Sequence, residues 1–274
     1  MENYKTVVIT GSGRGFGLEM LKVFRKNDFN VVICDINEKT LDEASKELEK
    51  INSKGRILSY LVDITNEEQV TKMVESLLKE VPTIDIWVNN AGVNQSPNSV
   101  WELDSNTINR LLDIDLKGTI LCSKIIMNYM VKQGSGQIYN VEGFGSNDAY
   151  SLGLSVYGTA KRAVTYFTEA LAYEVEKMKV NVYVGKITPG IMITNFITHP
   201  LGDGKAFELD EKTKKVYNIL GDYPSTIAEY IVPRVIKNTK NKAKITWLTN
   251  RKAFWRFMTC GFNKRDFFLK IINI

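Results

Sequence analysis

A β-branched run at residues 5–10 (KTVVIT) passes directly into Thr10-Gly11-Ser12-Gly13-Arg14-Gly15-Phe16-Gly17, and then into a helical apolar pattern through Leu18, Leu21 and Phe24. This junction restricts the fold more than any other stretch. A short continuous apolar run reads as a strand buried on both faces. Glycines between a strand and a helix permit a tight turn and let the backbone approach a pyrophosphate at the positive helix end. A ligand-free tight turn is the plainer alternative, and the flanking strand and helix argue against it.

The same unit recurs along the chain. Strand-like runs at Asn30–Asp35, 56–62, 84–88, Gln137–Val141, 179–187 and 244–248 alternate with helical patterns at 38–51, 67–79, 104–133, Ser155–Lys177 and Pro224–Ile236. A strand and a helix in each stretch of roughly thirty residues is the signature of βαβ units. The expected fold is therefore α/β: a Rossmann-type doubly wound parallel sheet flanked by helices, in one domain over residues 1–249. Residues 191–222 are glycine-containing and irregular, and are expected to form a substrate lid.

Chemistry-bearing residues gather at the strand ends, where ligands of such sheets bind. Asp35 ends the second strand, about twenty residues past the glycine turn, the distance at which a carboxylate accepts hydrogen bonds from an adenosine ribose. It would repel a 2′-phosphate, which favours NAD(H), while Arg14 keeps NADP(H) open because a guanidinium there could reach that phosphate. A strand-end turn or a helix cap is the alternative for Asp35. Asp63 either bonds an adenine or caps the helix that begins near Asn66. Tyr157 and Lys161 are four residues apart, about one helical turn, so phenol and ammonium share a face. A lysine beside a phenol favours the phenolate and provides a proton donor and acceptor.

With 274 residues, 44% hydrophobic and 24% charged, the chain has room for a sizeable core. No apolar run approaches the ~20 residues of a membrane span, and the chain enters its first strand at once, so no secretory signal is expected. Cys34, Cys122 and Cys260 are odd in number and far apart, which suits a reducing cytoplasm and argues against disulfides or a zinc site. With His199 as the sole histidine, a histidine triad or metal cluster is not expected.

Taken together, Thr10-Gly11-x-x-x-Gly15-x-Gly17, Asp63, Asn89-Asn90-Ala91-Gly92, Tyr157-x-x-x-Lys161 and Pro189-Gly190 followed by Thr194 resemble the short-chain dehydrogenase/reductase family over about the first 250 residues. The resemblance implies that Tyr157 is the general acid/base and that Lys161 lowers its pKa and bonds the nicotinamide ribose. It assigns Gly11, Gly15 and Gly17 to the pyrophosphate turn and Asn90 and Ala91 to the adenosine side, and counts Ser12, Arg14, Phe16, Asp35, Asp63, Ile64 and Gly92 among the cofactor-binding residues. Pro189, Gly190 and Thr194 fall to the carboxamide. A homodimer or homotetramer is also implied.

Two positions depart from the family. The usual catalytic serine, about thirteen residues before the tyrosine, aligns with Gly143 or Phe144; the nearest hydroxyl, Ser146, is the candidate for its role, with Glu142 the alternative. The family's asparagine is Asp115 here, which is expected to draw Lys161 into an ion pair. The stretch at 140–146 looks like the chlorophyll(ide) b reductase branch, as do Tyr223-Pro224-x-Thr226-x-Ala228 and Ile231-Val232-Pro233-Arg234.

Residues 233–274 hold eleven Lys or Arg and one acid, Asp266, a net +10 against −5 for the rest of the chain. Phe254, Met258 and Phe262 share a helical face within the basic, aromatic extension at 250–274. The favoured reading is that the aromatics pack on the body or a second subunit and the charges are solvated. Weak peripheral membrane contact is the alternative; nucleic-acid binding is not expected, since no recognition fold accompanies the charge. The expected function is NAD(P)-dependent interconversion of an alcohol and a ketone or aldehyde on a bulky apolar substrate such as a steroid, tetrapyrrole or lipid-like ketone. The other reading is a catalytically weak dinucleotide-binding sensor or scaffold.

Overall fold

The computed structural model describes residues 4–194, 210–262 and 265–268. Among the described residues seven parallel strands form one sheet: β1 (Thr6–Thr10), β2 (Asn30–Asp35), β3 (Ile57–Leu61), β4 (Ile86–Asn89), β5 (Gln137–Val141), β6 (Tyr183–Thr188) and β7 (Lys244–Thr246). Their order is β3-β2-β1-β4-β5-β6-β7. The chain builds outward from β1 to β3, crosses back to β4, and then builds outward the other way. The direction reverses between β1 and β4, and the crevice at their carboxyl ends is where such sheets take ligands.

Burial follows from this order. All five residues of β1 and all four of β4 are buried, whereas edge strand β3 alternates. One face is covered by α1 (Gly15–Arg25), α2 (Glu38–Glu49) and α8 (Pro224–Ile236), through Leu21, Phe24, Leu48, Ile231 and Val235. The other is covered by α3 (Glu67–Glu80), α5 (Thr119–Gln133) and the 23-residue α6 (Ser155–Lys177), through Val74, Leu77, Ile126, Met130 and Val175. Helices on both faces explain why the central strands read as unbroken apolar runs rather than alternating ones. Cys34 and Cys122 lie inside this second layer, and burial raises both thiols, Cys122 to about 12. Among the described residues no helix is long and apolar enough to cross a membrane.

Three expectations need correction. The single helix expected at 104–133 is divided into α4 (Ser105–Leu112) and α5 by one wide π-helical turn at Asp113–Gly118. Such a turn rotates side chains off the regular register; Asp115 falls on it and is fully buried. The strand expected from 179 begins at Tyr183, because α6 runs to Lys177 and Lys179 turns the chain at φ +56°. The irregular lid contains α7 (Glu211–Leu220), capped by the Asp210 carboxylate accepting from Thr213 N. Residues 195–209 of the expected lid lie outside the described residues. In the tail, α9 (Asn250–Thr259) starts on a Thr249 cap and packs against α7.

Candidate active site

Gly11 and Gly15 both adopt φ +61°, which side-chain-bearing residues avoid. A Cβ on Gly11 would stand 2.7 Å from Ala91 Cα, so the turn lies directly on the end of β4. Thr10 staples the two strands: its Oγ1 accepts from Asn90 N and Ala91 N, at 3.0 and 3.1 Å, while Asn90 Nδ2 donates to Thr10 O and Gly11 O. Helix α1 begins at Gly15, and no side chain among the described residues caps it. Its first N–H groups, with nothing within 4 Å of the Cβ position on Gly15, fit a pyrophosphate.

Asp35 is placed against this turn. Its Oδ2 accepts from Gly13 N at 3.0 Å and its Oδ1 from Ile36 N at 2.9 Å. Helix α2 is capped by Asn37 instead. A Cβ on Gly13 would meet Asp35 Oδ2 at 2.9 Å and Thr40 Oγ1 at 2.6 Å. Gly13 therefore makes room for Asp35, a role that the motif spacing did not single out. Arg14 is exposed beside it. Asp63 Oδ1 accepts from Thr65 N and Thr65 Oγ1, and Asn66 is the cap of α3. Ser12 Oγ is buried, donating to Ile9 O and accepting from Cys34 N, and Phe16 and Ile64 are core residues. Ser12 ties the turn to the ends of β1 and β2, whereas Ile64 packs towards Gly118 in the other layer. Pro189 is buried, Gly190 turns at φ +76°, and Thr194 is half-buried.

The second half of the site is a continuous contact from this turn. A Cβ on Gly92 would lie 3.2 Å from Lys161 Nζ and 3.1 Å from Asp115 Oδ2. Lys161 Nζ and Asp115 Oδ2 form an ion pair at 2.9 Å, with side-chain exposures of 7% and 0%. Asp115 Oδ1 accepts from Val93 N at 2.7 Å. Lys161 Nζ also stands 5.6 Å from the centre of the Tyr157 ring. Burial raises the Asp115 carboxyl despite the lysine and the Val93 N–H. Burial works against the Lys161 ammonium, but Asp115 and Tyr157 together outweigh it and raise its pKa. Burial pushes the Tyr157 phenol up to about 12; Lys161 pulls it down, while Asp115 and Tyr217 push it up.

At the serine position the structure distinguishes the two alignments. A Cβ on Gly143 would sit 2.3 Å from Tyr157 Oη and 3.0 Å from Lys161 Cγ, so Gly143 faces the tyrosine, while Phe144 is 41% exposed. Ser146 Oγ donates to Lys161 O and accepts from Gly143 N, each at 3.2 Å. Its hydroxyl ties the loop to α6. Glu142 points into a different cluster: Thr165 Oγ1 donates to its Oε1 at 3.0 Å, Thr188 Oγ1 to its Oε2 at 2.6 Å, and Lys186 Nζ lies 3.5 Å away. It joins α6 to the end of β6.

One residue of the site was missed in the sequence. Leu154 offers α6 no side-chain cap, and Gln95 supplies the acceptor from 62 residues away: its Oε1 takes Tyr157 N at 2.8 Å. Gln95 is 1% exposed, and its Nε2 has no partner among the described residues.

A doubly wound sheet with a glycine turn, an acid at the end of β2 and a buried Tyr–Lys pair at the switch point is the framework of a dinucleotide-dependent dehydrogenase. The family model described as short chain dehydrogenase matches residues 5–201, and the chain belongs to that family. It is 28% identical over 260 aligned positions to chlorophyll(ide) b reductase NOL of Oryza sativa subsp. japonica, covering 92% of this chain and 74% of that one. It is 33% identical over 215 positions to the uncharacterised oxidoreductase YxbG of Bacillus subtilis, covering 78% and 76%. The chain spans 54% of the length of NYC1 of Arabidopsis thaliana, at 27% identity. Among solved structures, NAD+-bound xylitol dehydrogenase superposes with a TM-score of 0.75 at 22% identity, and ElxO with NADP bound with 0.75 at 24%; each covers 89% of this chain and 97% of the other. These two share the fold.

Proposed function

We propose that this chain is an NAD(P)-dependent oxidoreductase interconverting an alcohol and a ketone or aldehyde on a bulky apolar substrate. The observation that supports this best is the unbroken line of contact from the glycine turn through Ala91 and Gly92 to Lys161, Tyr157 and Gly143. It sets a proton-carrying phenol beside the place where the turn would bring a dinucleotide. A bound nicotinamide supplies or accepts hydride. Tyr157 Oη then gives its proton to the carbonyl oxygen, or takes it from the hydroxyl. Lys161 holds positive charge near the phenol so that the phenolate form is reachable.

Asp35 beside Gly13 supports NAD(H) over NADP(H), because a carboxylate at the ribose edge repels a 2′-phosphate. The likeness to chlorophyll(ide) b reductases makes a tetrapyrrole carbonyl the first substrate to try, ahead of steroid and lipid-like ketones. Oxidation of NADH and of NADPH is to be followed against that panel, with binding of each nucleotide measured separately. We expect turnover with NADH, and Tyr157→Phe should abolish it while NADH still binds. Full activity in that variant would refute the mechanism. Gly143 in place of the serine and Asp115 on Lys161 favour the second reading, a dinucleotide-binding sensor. Tight NADH binding with no turnover across the panel would decide for it.

A further inference from the structure

In the tail, Arg256 and Arg265 turn inward, while the aromatic side chains of α9 turn outward. On α9, Phe254, Trp255 and Met258 are 63%, 59% and 64% exposed, and Phe262 just beyond it is 93% exposed. Arg256 pairs with Asp222 at 2.7 Å and donates to Leu220 O; Arg265 pairs with Asp222 at 2.6 Å and donates to Ile219 O. Phe267 is buried edge-on against Tyr223 at 5.0 Å. Arg256 and Arg265 thus fasten the tail to the body, and what remains outside on α9 is an aromatic face with the exposed Arg251 at its start, the kind of surface that marks a partner.

Charge selects among partners. The stretch at 233–274 carries +10. On α7, against which α9 packs, Lys212 and Lys215 are exposed, as is Arg251 at the start of α9. Of the nearby acids, Asp222 is held by two arginines and the Trp247 indole, Asp210 caps α7, the exposed Glu211 pairs with Lys214, and the exposed Asp266 accepts from Phe268 N. Lys252 is pushed down to about 8 by burial and by Arg256 and Arg265, so an anion beside it would be welcome. In an isologous contact, a second copy would set two strongly basic tails against each other. Nucleic acid would call for outward arginines, and Arg256 and Arg265 point in. Outward aromatics rimmed by lysine and arginine match a helix lying in the plane of an anionic lipid surface.

We propose that α9 is a membrane-interface helix, with Phe254, Trp255, Met258 and Phe262 inserted among the headgroups of an anionic bilayer and Arg251, Lys212 and Lys215 at the phosphates. The contact itself does not depend on the enzyme's substrate. If the substrate is apolar as proposed above, the arrangement also places the lipid on the side of the site, since α9 packs against α7, whose Tyr217 phenol raises the Tyr157 pKa.

The test is co-sedimentation of the full chain with vesicles of phosphatidylcholine alone and with about one-third phosphatidylserine. Binding is expected to the anionic vesicles, lost at high salt, and about tenfold weaker for Phe254→Ser/Trp255→Ser with an unchanged melting temperature. Phe262→Ser alone should weaken it in the same direction, which keeps the test intact if the double variant melts early. No sedimentation, or equal sedimentation of wild type and both variants, overturns the proposal. So does a double variant that loses a dimer in sedimentation velocity while binding vesicles as before, because the face would then be a subunit contact. Vesicle binding without any ketone turnover leaves this inference standing and removes the catalytic reading alone.

Discussion

Tyr157 Oη occupies the space into which a side chain on Gly143 would grow: a Cβ there would be 2.3 Å away, well inside contact distance. Restoring the family's serine is therefore expected to harm this site. The added carbon also meets Lys161 Cγ at 3.0 Å, so neither partner can move aside without shifting the pair. Gly143→Ser should lower kcat at least about tenfold by displacing the phenol, with NADH affinity close to wild type. A gain in kcat would show that the hydroxyl was the missing element and that the loop adapts.

If Tyr157 carries the proton as proposed, the Asp115–Lys161 pair should set the pH at which it works. Asp115 raises the tyrosine pKa and Lys161 lowers it. Asp115→Asn removes the anion and leaves the ammonium, so the phenol should ionise at lower pH. For alcohol oxidation, which needs the phenolate, the rising limb of the pH profile should move to lower pH. For carbonyl reduction, which needs the phenol, the falling limb should move the same way. An unmoved profile in both directions would separate the tyrosine from this pair.

The same burial predicts how stability responds to alkali. Tyr157 is raised from 10.0 to about 12 in the folded chain, so the fold binds its proton more tightly than the unfolded chain does. Its contribution is complete below pH 10 and is lost as pH rises towards 12. The difference amounts to about 3 kcal/mol at most. Urea unfolding across that window should show the decline, and Tyr157→Phe should flatten it. An identical decline in the variant would assign it to other groups, such as the Lys161–Asp115 pair.

What the sequence disclosed, and what it hid, follows from the range of each interaction. The strand–turn–helix at residues 5–24 and the Tyr157–Lys161 spacing are local, so residue type and period carry them. The wide turn at Asp113–Gly118 was hidden because Ile108, Leu111 and Leu112 continue smoothly into Leu116, Leu121 and Ile125, and a half-step in register leaves that pattern looking intact. Arg256 and Arg265 read as solvated charges because their partner, Asp222, lies more than thirty residues upstream. Gln95 gave no signal at all except a negative one: Leu154 is a poor cap, which implied that something else must supply the acceptor.

That surrogate cap is itself testable. Tyr157 N belongs to the first turn of α6, where backbone donors have no helical partner, and Gln95 Oε1 is the acceptor it finds. Gln95→Leu should cost about 1–2 kcal/mol in urea unfolding. It should also accelerate amide exchange at Tyr157 and Gly158 more than in the middle of the helix. Because the turn carries the phenol, kcat should fall as well. Unchanged exchange at Tyr157 would mean that the packing of Leu111 and Ala160 around the tyrosine, not the cap, holds the turn in place.

Asp222 is the last of these long-range anchors, and it carries the tail. It is 6% exposed and accepts from Trp247 Nε1 at 2.6 Å, from Arg256 at 2.7 Å and from Arg265 at 2.6 Å. Asp222→Ala would leave two half-buried guanidinium groups without their anion and an indole N–H without its acceptor. Breaking a buried pair in this way costs about 3–5 kcal/mol; the arginine side chains are 18% and 29% exposed, which places the expected loss at or below the lower end. The loss should be local, because α9 meets the body mainly through α7 and these bonds. Limited proteolysis should then cut near residue 250 while the sheet stays resistant. Asp222→Asn, which keeps the Trp247 acceptor but not the charge, should fall between the two. Uniform destabilisation of the sheet, with no new cleavage in the tail, would show that Asp222 supports the core and not the attachment of α9.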